Sequence, residues 1–536
     1  MKTNIEKNLW QIALALVTTL GFAASAPHAH AQGGVPLWTN RYGLGIPYSD
    51  AQAVAVAVDS GSNVFVTGWS VPSTNGYDYV TIKYSSAGVP LWTNNYDGSA
   101  YDFARAMAVD DAGNVFVTGH SMGTNFHDEY ATVAYSGAGV PLWTNRYYGP
   151  LTNGEYIPAA IALDTNGNVF VSGGSTVRGV GSAISDYATI KYSGAGVPLW
   201  TNRYKASAGF SADYVSAMVV DSAGNVLVTG SSDPTGSGYL HDFATIKYSG
   251  AGVPLWTNRY NAPTNRSDWP FAIAVGSNGN VFVTGSSENG AGADFATVAY
   301  SGAGVSLWTN RYHGPSVPTN SFAPSDWANA IAVDSSGNVF VTGPSFANAS
   351  SDHDYATVAY SGTGAPLWTN RYGSPFSEDT DIPYAIVVDS NGNVFVTGKA
   401  KPGVYATIAY SNGGVPLWTN LYPNGAAIAI AADKSGNVIV TGTEGSSANG
   451  GHSSYVTIKY SPTFFPIHLD IARDGGGGLF LHYTGAPAVT YRLQRAASLT
   501  GPWSDLATNT APASGLIEYH ETSPLPGQAF YRTVQP

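Results

Sequence analysis

The chain has 536 residues, no cysteine and a formal net charge of −12 at pH 7. Disulfide staples, thiolate metal sites and cysteine nucleophiles are thereby excluded, so stability has to come from a large core, which 44% hydrophobic residues can supply. The acidic balance repels phosphate backbones and excludes nucleic acid as the expected partner, while only 11% charged residues beside 63 glycines fits an exported β-protein of many turns better than a cytosolic enzyme.

In chain order, Lys2 and Lys7 precede an apolar run from Leu9 to Ala24, and Ala29-His30-Ala31 offers small residues for cleavage. Residues 1–31 are therefore expected to be a signal peptide, with an extracellular or cell-surface destination. Later in the sequence no stretch approaches the roughly 20 apolar residues of a transmembrane helix.

From residue 32 to 461 three strings recur in fixed order, eight times each and about every 50 residues. The first is LWTN, running from Trp38 to Trp418. The second is DxxGNVFVTG, with its Asn from Asn63 to Asn437. The third is DYATIKYS and variants, ending at Tyr84 through Tyr460. Each unit offers four short runs rich in Val, Ile, Tyr, Thr and Phe, separated by Gly, Ser and Asn, and no segment has sustained helical periodicity. Four antiparallel strands per repeat predict propeller blades. The sequence begins with a lone PLWTNRY strand, and its eighth unit lacks one. Pairing Pro36–Tyr42 with Tyr455–Tyr460 would close eight blades without an open edge. The expected fold class is thus all-β, an eight-bladed propeller followed by a small β-sandwich, with seven blades as the alternative.

The repeat, as in DYATIKYSGAGVPLWTNRY (186–204) and AIAVDSSGNVFVTG (330–343), resembles the SBBP β-propeller repeat family over residues 33–461. The family's name implies seven blades. The resemblance implies a bacterial extracellular or surface protein and brings no catalytic residues. The Gly four residues before each Trp in GVPLW is also similar to the GxxxW docking motif of quinoprotein-like propellers, which implies that these Trp rings pack between blades.

Three acidic positions recur. The Asp of DxxGN suits a capped turn better than a cation cage, because a turn offers two or three ligands where Ca²⁺ needs six or more. The acid before YAT, as Asp78, Glu129, Asp186, Asp242, Asp294 and Asp354, is expected to bind turn backbone. The third lies just before the innermost strand as Asp50, Asp102, Glu155, Asp213, Asp268, Asp326 and Asp381, near one mouth of the channel. Such a ring needs cationic partners or a bound cation, calcium being the candidate. Arg41, Arg146, Arg203, Arg259, Arg311 and Arg371 are the expected partners, with Asn95 before Asp102 as the exception.

The connections after NRY and after VTG vary in length and fall on one face, where binding residues concentrate. Trp69, Tyr77, Tyr239, Trp269, Trp327 and Phe346 there offer rings for a carbohydrate or a protein partner. His127, His241, His353 and His452 are expected to be solvated loop residues rather than one metal site. No HExxH, P-loop or Rossmann glycine string occurs.

From 462 to 536 the repeat gives way to a small β-domain. Its strings YRLQRAASLTGPW and AFYRTV resemble fibronectin type III-like domains, with Tyr491 and Trp503 expected in the core. The leading expectation is a secreted or surface, non-enzymatic binding or adhesion scaffold without a cofactor. A polysaccharide lyase or glycosidase at the channel mouth and a structural envelope protein remain the alternatives.

Overall fold

The computed structural model describes residues 34–534 except 44–49, 72–75, 99–100, 124–125, 150–153, 180–181, 208–211, 237–239, 291, 316–324, 348–351, 374–379, 401–402, 447–451, 462–468, 475–476, 485–489, 499–500, 511–515 and 526–528. The expected signal peptide lies outside the described residues. Two compact units emerge, Gly33–Thr463 and one containing Phe464–Pro536. No helix long and apolar enough to cross a membrane occurs among the described residues.

Within Gly33–Thr463 the Val-, Phe- and Tyr-rich runs form eight four-stranded antiparallel sheets, the architecture of a β-propeller. Burial changes across each sheet. In the third, the innermost strand Gly154–Leu163 is half-buried, whereas in the first the middle strands Val64–Ser70 and Asp78–Tyr84 are almost wholly buried. The outer strand Pro90–Tyr96 alternates exposed and half-buried positions. Middle strands lose water on both faces because neighbouring sheets cover them, which is why their apolar runs scarcely alternate. Each innermost strand packs beside that of the next sheet, and Gly425–Ala432 of the last packs beside Ala51–Val58 of the first. The strand Pro36–Tyr42 completes the last sheet by pairing with His452–Tyr460, Arg41 opposite Val456.

The Trp side chains join one sheet to the next, as the resemblance to the GxxxW motif implies. Trp200 Nε1 donates to the Gly250 carbonyl at 3.2 Å and Asn202 Nδ2 to that of Gly252 at 2.7 Å. Gly252 has φ +83°, and a Cβ there would stand 2.9 Å from the Trp200 ring. Glycine is thus needed both for the backbone and for the ring's approach. Around the circuit, Trp418 packs on Gly34, whose carbonyl accepts from Asn420.

The DxxGN acids cap their turns: Asp433 accepts from Asn437 N at 2.9 Å and Asn437 Nδ2 at 2.8 Å, and Lys459 Nζ lies 2.8 Å away. The unit containing Phe464–Pro536 has two three-stranded sheets, one built on Leu479–Thr484 and one on Thr490–Ala496, around Leu481, Tyr483, Tyr491, Leu493 and Ile517. Trp503 is only half-buried, under the Arg532 guanidinium at 4.2 Å, so its expected core place is corrected.

Candidate ligand-binding face

Both variable connections leave from one end of each sheet, because the start of the first strand pairs with the end of the second, as in Asp102 opposite Ser121. At that end the third acidic position is a clamp. Gly98 N donates to Asp102 at 2.7 Å, Ala206 N to Asp213 at 2.8 Å, Ala262 N to Asp268 at 2.8 Å and Gly314 N to Asp326 at 2.7 Å. The donor always stands two residues after the Tyr of the outer strand. A second oxygen often ties the other connection: Asp326 accepts from Phe346 N and Asp213 from the Ser232 hydroxyl, both at 2.7 Å.

These acids are therefore not an open ring around the mouth. Asp102, Asp213, Asp268, Asp326 and Asp381 are all buried. Asp50 and Glu155 fall one residue short of the shared register, where Ala51 and Tyr156 stand opposite Ser70 and Ser175. Asp50 instead accepts from Ser453 N at 3.2 Å.

The arginines also choose other partners than expected, pairing with the acid before YAT. Arg146 reaches Glu129 at 2.7 Å, Arg203 reaches Asp186 at 3.1 Å, Arg311 reaches Asp294 at 2.8 Å and Arg371 reaches Asp354 at 3.2 Å. In the last sheet, where Ser454 replaces the acid, Glu444 opposite it takes Arg41 at 2.8 Å.

Most expected aromatic surfaces are engaged. Trp69 packs against Tyr77 and Phe103 with centroids at 5.0 and 5.5 Å, Phe346 is buried, and Tyr239 lies outside the described residues. The histidines are packing groups rather than solvated ones: buried His241 lies 4.3 Å from Trp269, and His353 lies 5.0 Å from Trp327. His127 is half-buried, and the side chain of His452 lies outside the described residues. His120, against Phe103, is pushed down to about 4, mainly by burial and then by Arg105, and is neutral at pH 7.

Registered on the Gly of VTG, the residues Phe103, Ile157, Tyr214, Trp269, Trp327 and Ile382 occupy one equivalent position at the variable end of successive innermost strands. Ile157 and Tyr214 are 37% and 42% exposed, and Trp269 and Trp327 half-buried. A pocket of about 460 Å³ opens here across three sheets, lined by Arg105, Ile157, Pro158, Thr176, Tyr214 and Val215 among others. Arg105 is the charged side chain among its described lining residues. Tyr214, Arg105 and Ile157 stand apart from the residues expected from the sequence, although counting back from the Gly of VTG finds their end of the strand.

Fold and site together define a β-propeller repeat protein with an apolar, arginine-edged pocket at the variable end. The β-propeller repeat family model matches residues 97–127, 323–345 and 367–401. Comparison with curated proteins gives no match. Among solved structures the chain is similar to Sqt1 from Chaetomium thermophilum, with TM-score 0.47 and 10% identity over 77% of this chain and 96% of that one. It is similar to the Pan2 WD40 domain of Neurospora crassa, with TM-score 0.41 and 9% identity over 81% and 97%. A third similarity is to the polysaccharide lyase Uly1, with TM-score 0.41 and 10% identity over 76% and 89%.

Proposed function

We propose that this chain is an exported, non-enzymatic carbohydrate-binding scaffold, an eight-bladed propeller closed by its own first strand and followed by a fibronectin type III-like module. The basic n-region and small-x-small site support export, and the β-propeller repeat matches support a bacterial surface or extracellular setting by family resemblance. The pairing of Pro36–Tyr42 with His452–Tyr460 supports the blade count.

The observation that carries the binding reading is the pocket at the variable end. An exposed Tyr214 ring and the aliphatic Ile157 and Val215 supply apolar platforms, while Arg105 and the Thr176 hydroxyl supply directional polar groups. That mixture suits a sugar ring, whose faces are apolar and whose edge is hydroxylated. Glycosidic hydrolysis would call for a pair of carboxylates beside the ligand, and among the described lining residues the charged group is a lone guanidinium.

A glycan array against the full chain tests this. Binding should be found and should weaken about tenfold or more in Tyr214→Ala and in Arg105→Ala, the scale of a central contact residue. Retention of full glycan affinity by both variants would reject the pocket as the site, and release of cleaved product would replace a binder with an enzyme.

A further inference from the structure

The innermost strands share a bulge that sets one residue outside the ladder. In six sheets that residue is Val54, Ala159, Ser216, Phe271, Tyr384 or Ile428, where the register skips a position. None of these side chains carries a charge. In the second sheet the same bulge, between Ala104 and Ala106, falls on Arg105. A bulge re-aims the side chain it releases, and here it places a guanidinium on the wall of the pocket at the variable end, beside residues of the third and fourth sheets.

Arg105 differs from the outer-strand arginines in being uncommitted. Each of those reaches a carboxylate, from Arg41 on Glu444 to Arg371 on Asp354. Arg105 is exposed, and among the described residues no carboxylate forms an ion pair with it. Asp128 feels its charge, but burial outweighs the guanidinium and holds that carboxyl above the ordinary Asp value. His120, also in its field, is neutral at pH 7. The rest of the described wall is uncharged: the Tyr214 ring, the aliphatic Ile157, Pro158 and Val215, and the Thr176 hydroxyl. That hydroxyl donates to Ser185 Oγ at 3.1 Å, so its lone pairs are what it offers a ligand.

We propose that the pocket selects an acidic sugar, a uronic acid unit whose carboxylate lies in the fork of Arg105 while its ring rests on Tyr214. This rests on the carbohydrate reading above and names the class of sugar. A planar guanidinium meets both oxygens of a carboxylate in two parallel hydrogen bonds. A sulfate ester would present three terminal oxygens, and beside Arg105 the polar side chains of the described wall are Tyr214, with one hydroxyl proton, and Thr176, whose proton is already given to Ser185. The carboxylate is therefore the better match. The net charge of −12 repels an anion from afar, but that field is screened beyond about 8 Å at physiological ionic strength, whereas the fork acts at contact.

The test titrates the full chain by calorimetry with oligomers of galacturonate, glucuronate and mannuronate, each beside the same oligomer with its carboxyls reduced to alcohols, and with a sulfated, carboxyl-free galactan oligomer. The best uronate should bind at least tenfold more tightly than its reduced form. Arg105→Gln, at an exposed position that does not threaten folding, should erase that ratio while keeping the β-sheet circular dichroism, and Arg105→Lys, which keeps the charge without the fork, should retain only part of it. Equal affinity for an oligomer and its reduced form, a ratio unchanged in Arg105→Gln, or tighter binding of the sulfated oligomer would overturn the uronate assignment. The carbohydrate reading would survive those outcomes if Tyr214→Ala still weakened the binding that remained. Absence of binding to every oligomer would overturn both.

Discussion

Single residues decide how the repeat is stitched together, and glycine does so by what it lacks. Replacing Gly252 by Ala forces a side chain onto φ +83° and into the Trp200 ring, whereas Gly279, at φ +80°, has open space around its missing Cβ. Gly252→Ala should therefore cost about 1–3 kcal/mol in urea unfolding, and Gly279→Ala only about 1 kcal/mol, the left-handed backbone penalty alone. Equal losses would show that the ring contact contributes nothing.

Titration has two signs here. Burial pushes Asp78 and Asp242 up to about 6, against Arg259 in the second case, so the folded chain binds these protons more tightly than the unfolded chain does. Their effect is a gain in stability as pH falls from about 6 towards the ordinary Asp value of about 4. Burial opposes the charge on Asp433 as well, but Lys459 and Asn437 outweigh it and hold that carboxyl low, as Lys191 and Asn168 help do at Asp164. That contribution is present above about pH 4 and lost below it. In EDTA the melting temperature should thus peak in mild acid, and Asp78→Asn should flatten its rise from pH 7 to 5; a midpoint that climbs steadily to pH 7 would contradict this balance.

At the scale of the strand, the sequence shows what each element is and misleads about which elements touch. The Trp, the turn Asp and the four strands per unit were legible because each is a local pattern of residue types. The partners of Arg203 and Arg311 were not. These arginines precede the third acidic position along the chain, yet the outer strand lies beside the third strand, so the acid before YAT is nearer in space. Asp50 and Glu155 misled for a related reason: the connections before them differ in length, and register is set by the Gly that meets the first strand, not by the acid. In the C-terminal unit the strand Ser504–Thr510 is not legible in the sequence because SDLATNT is too polar to announce itself.

The lone first strand was legible, and it makes a prediction of its own. Without residues 34–43 the strand His452–Tyr460 becomes an open edge. The truncated chain should melt lower and self-associate in sedimentation, and a synthetic peptide spanning residues 33–43 should restore both properties by adding a strand in trans. Failure of the peptide to rescue would mean that closure depends on more than this strand.

For the whole molecule, the outer strand of each sheet, Pro36–Tyr42 included, still has one edge to solvent, and these edges are blunted. Pro begins most of them, and the register skips a residue beside it, leaving Leu91, Leu142, Leu199 and Leu255 about half exposed. Proline and a bulge at the start of an edge discourage another strand from adding there. The closing pair behaves differently, because its members lie at opposite ends of the repeat region. At a synthesis rate of about 5–20 residues per second, Pro36–Tyr42 waits on the order of tens of seconds until His452–Tyr460 exists. A chain cut short before that point carries an unmated first strand and a Trp-bearing last strand with nothing to dock on. Only a chain that carries both partners can conceal both ends, so the pairing separates full-length copies from incomplete ones.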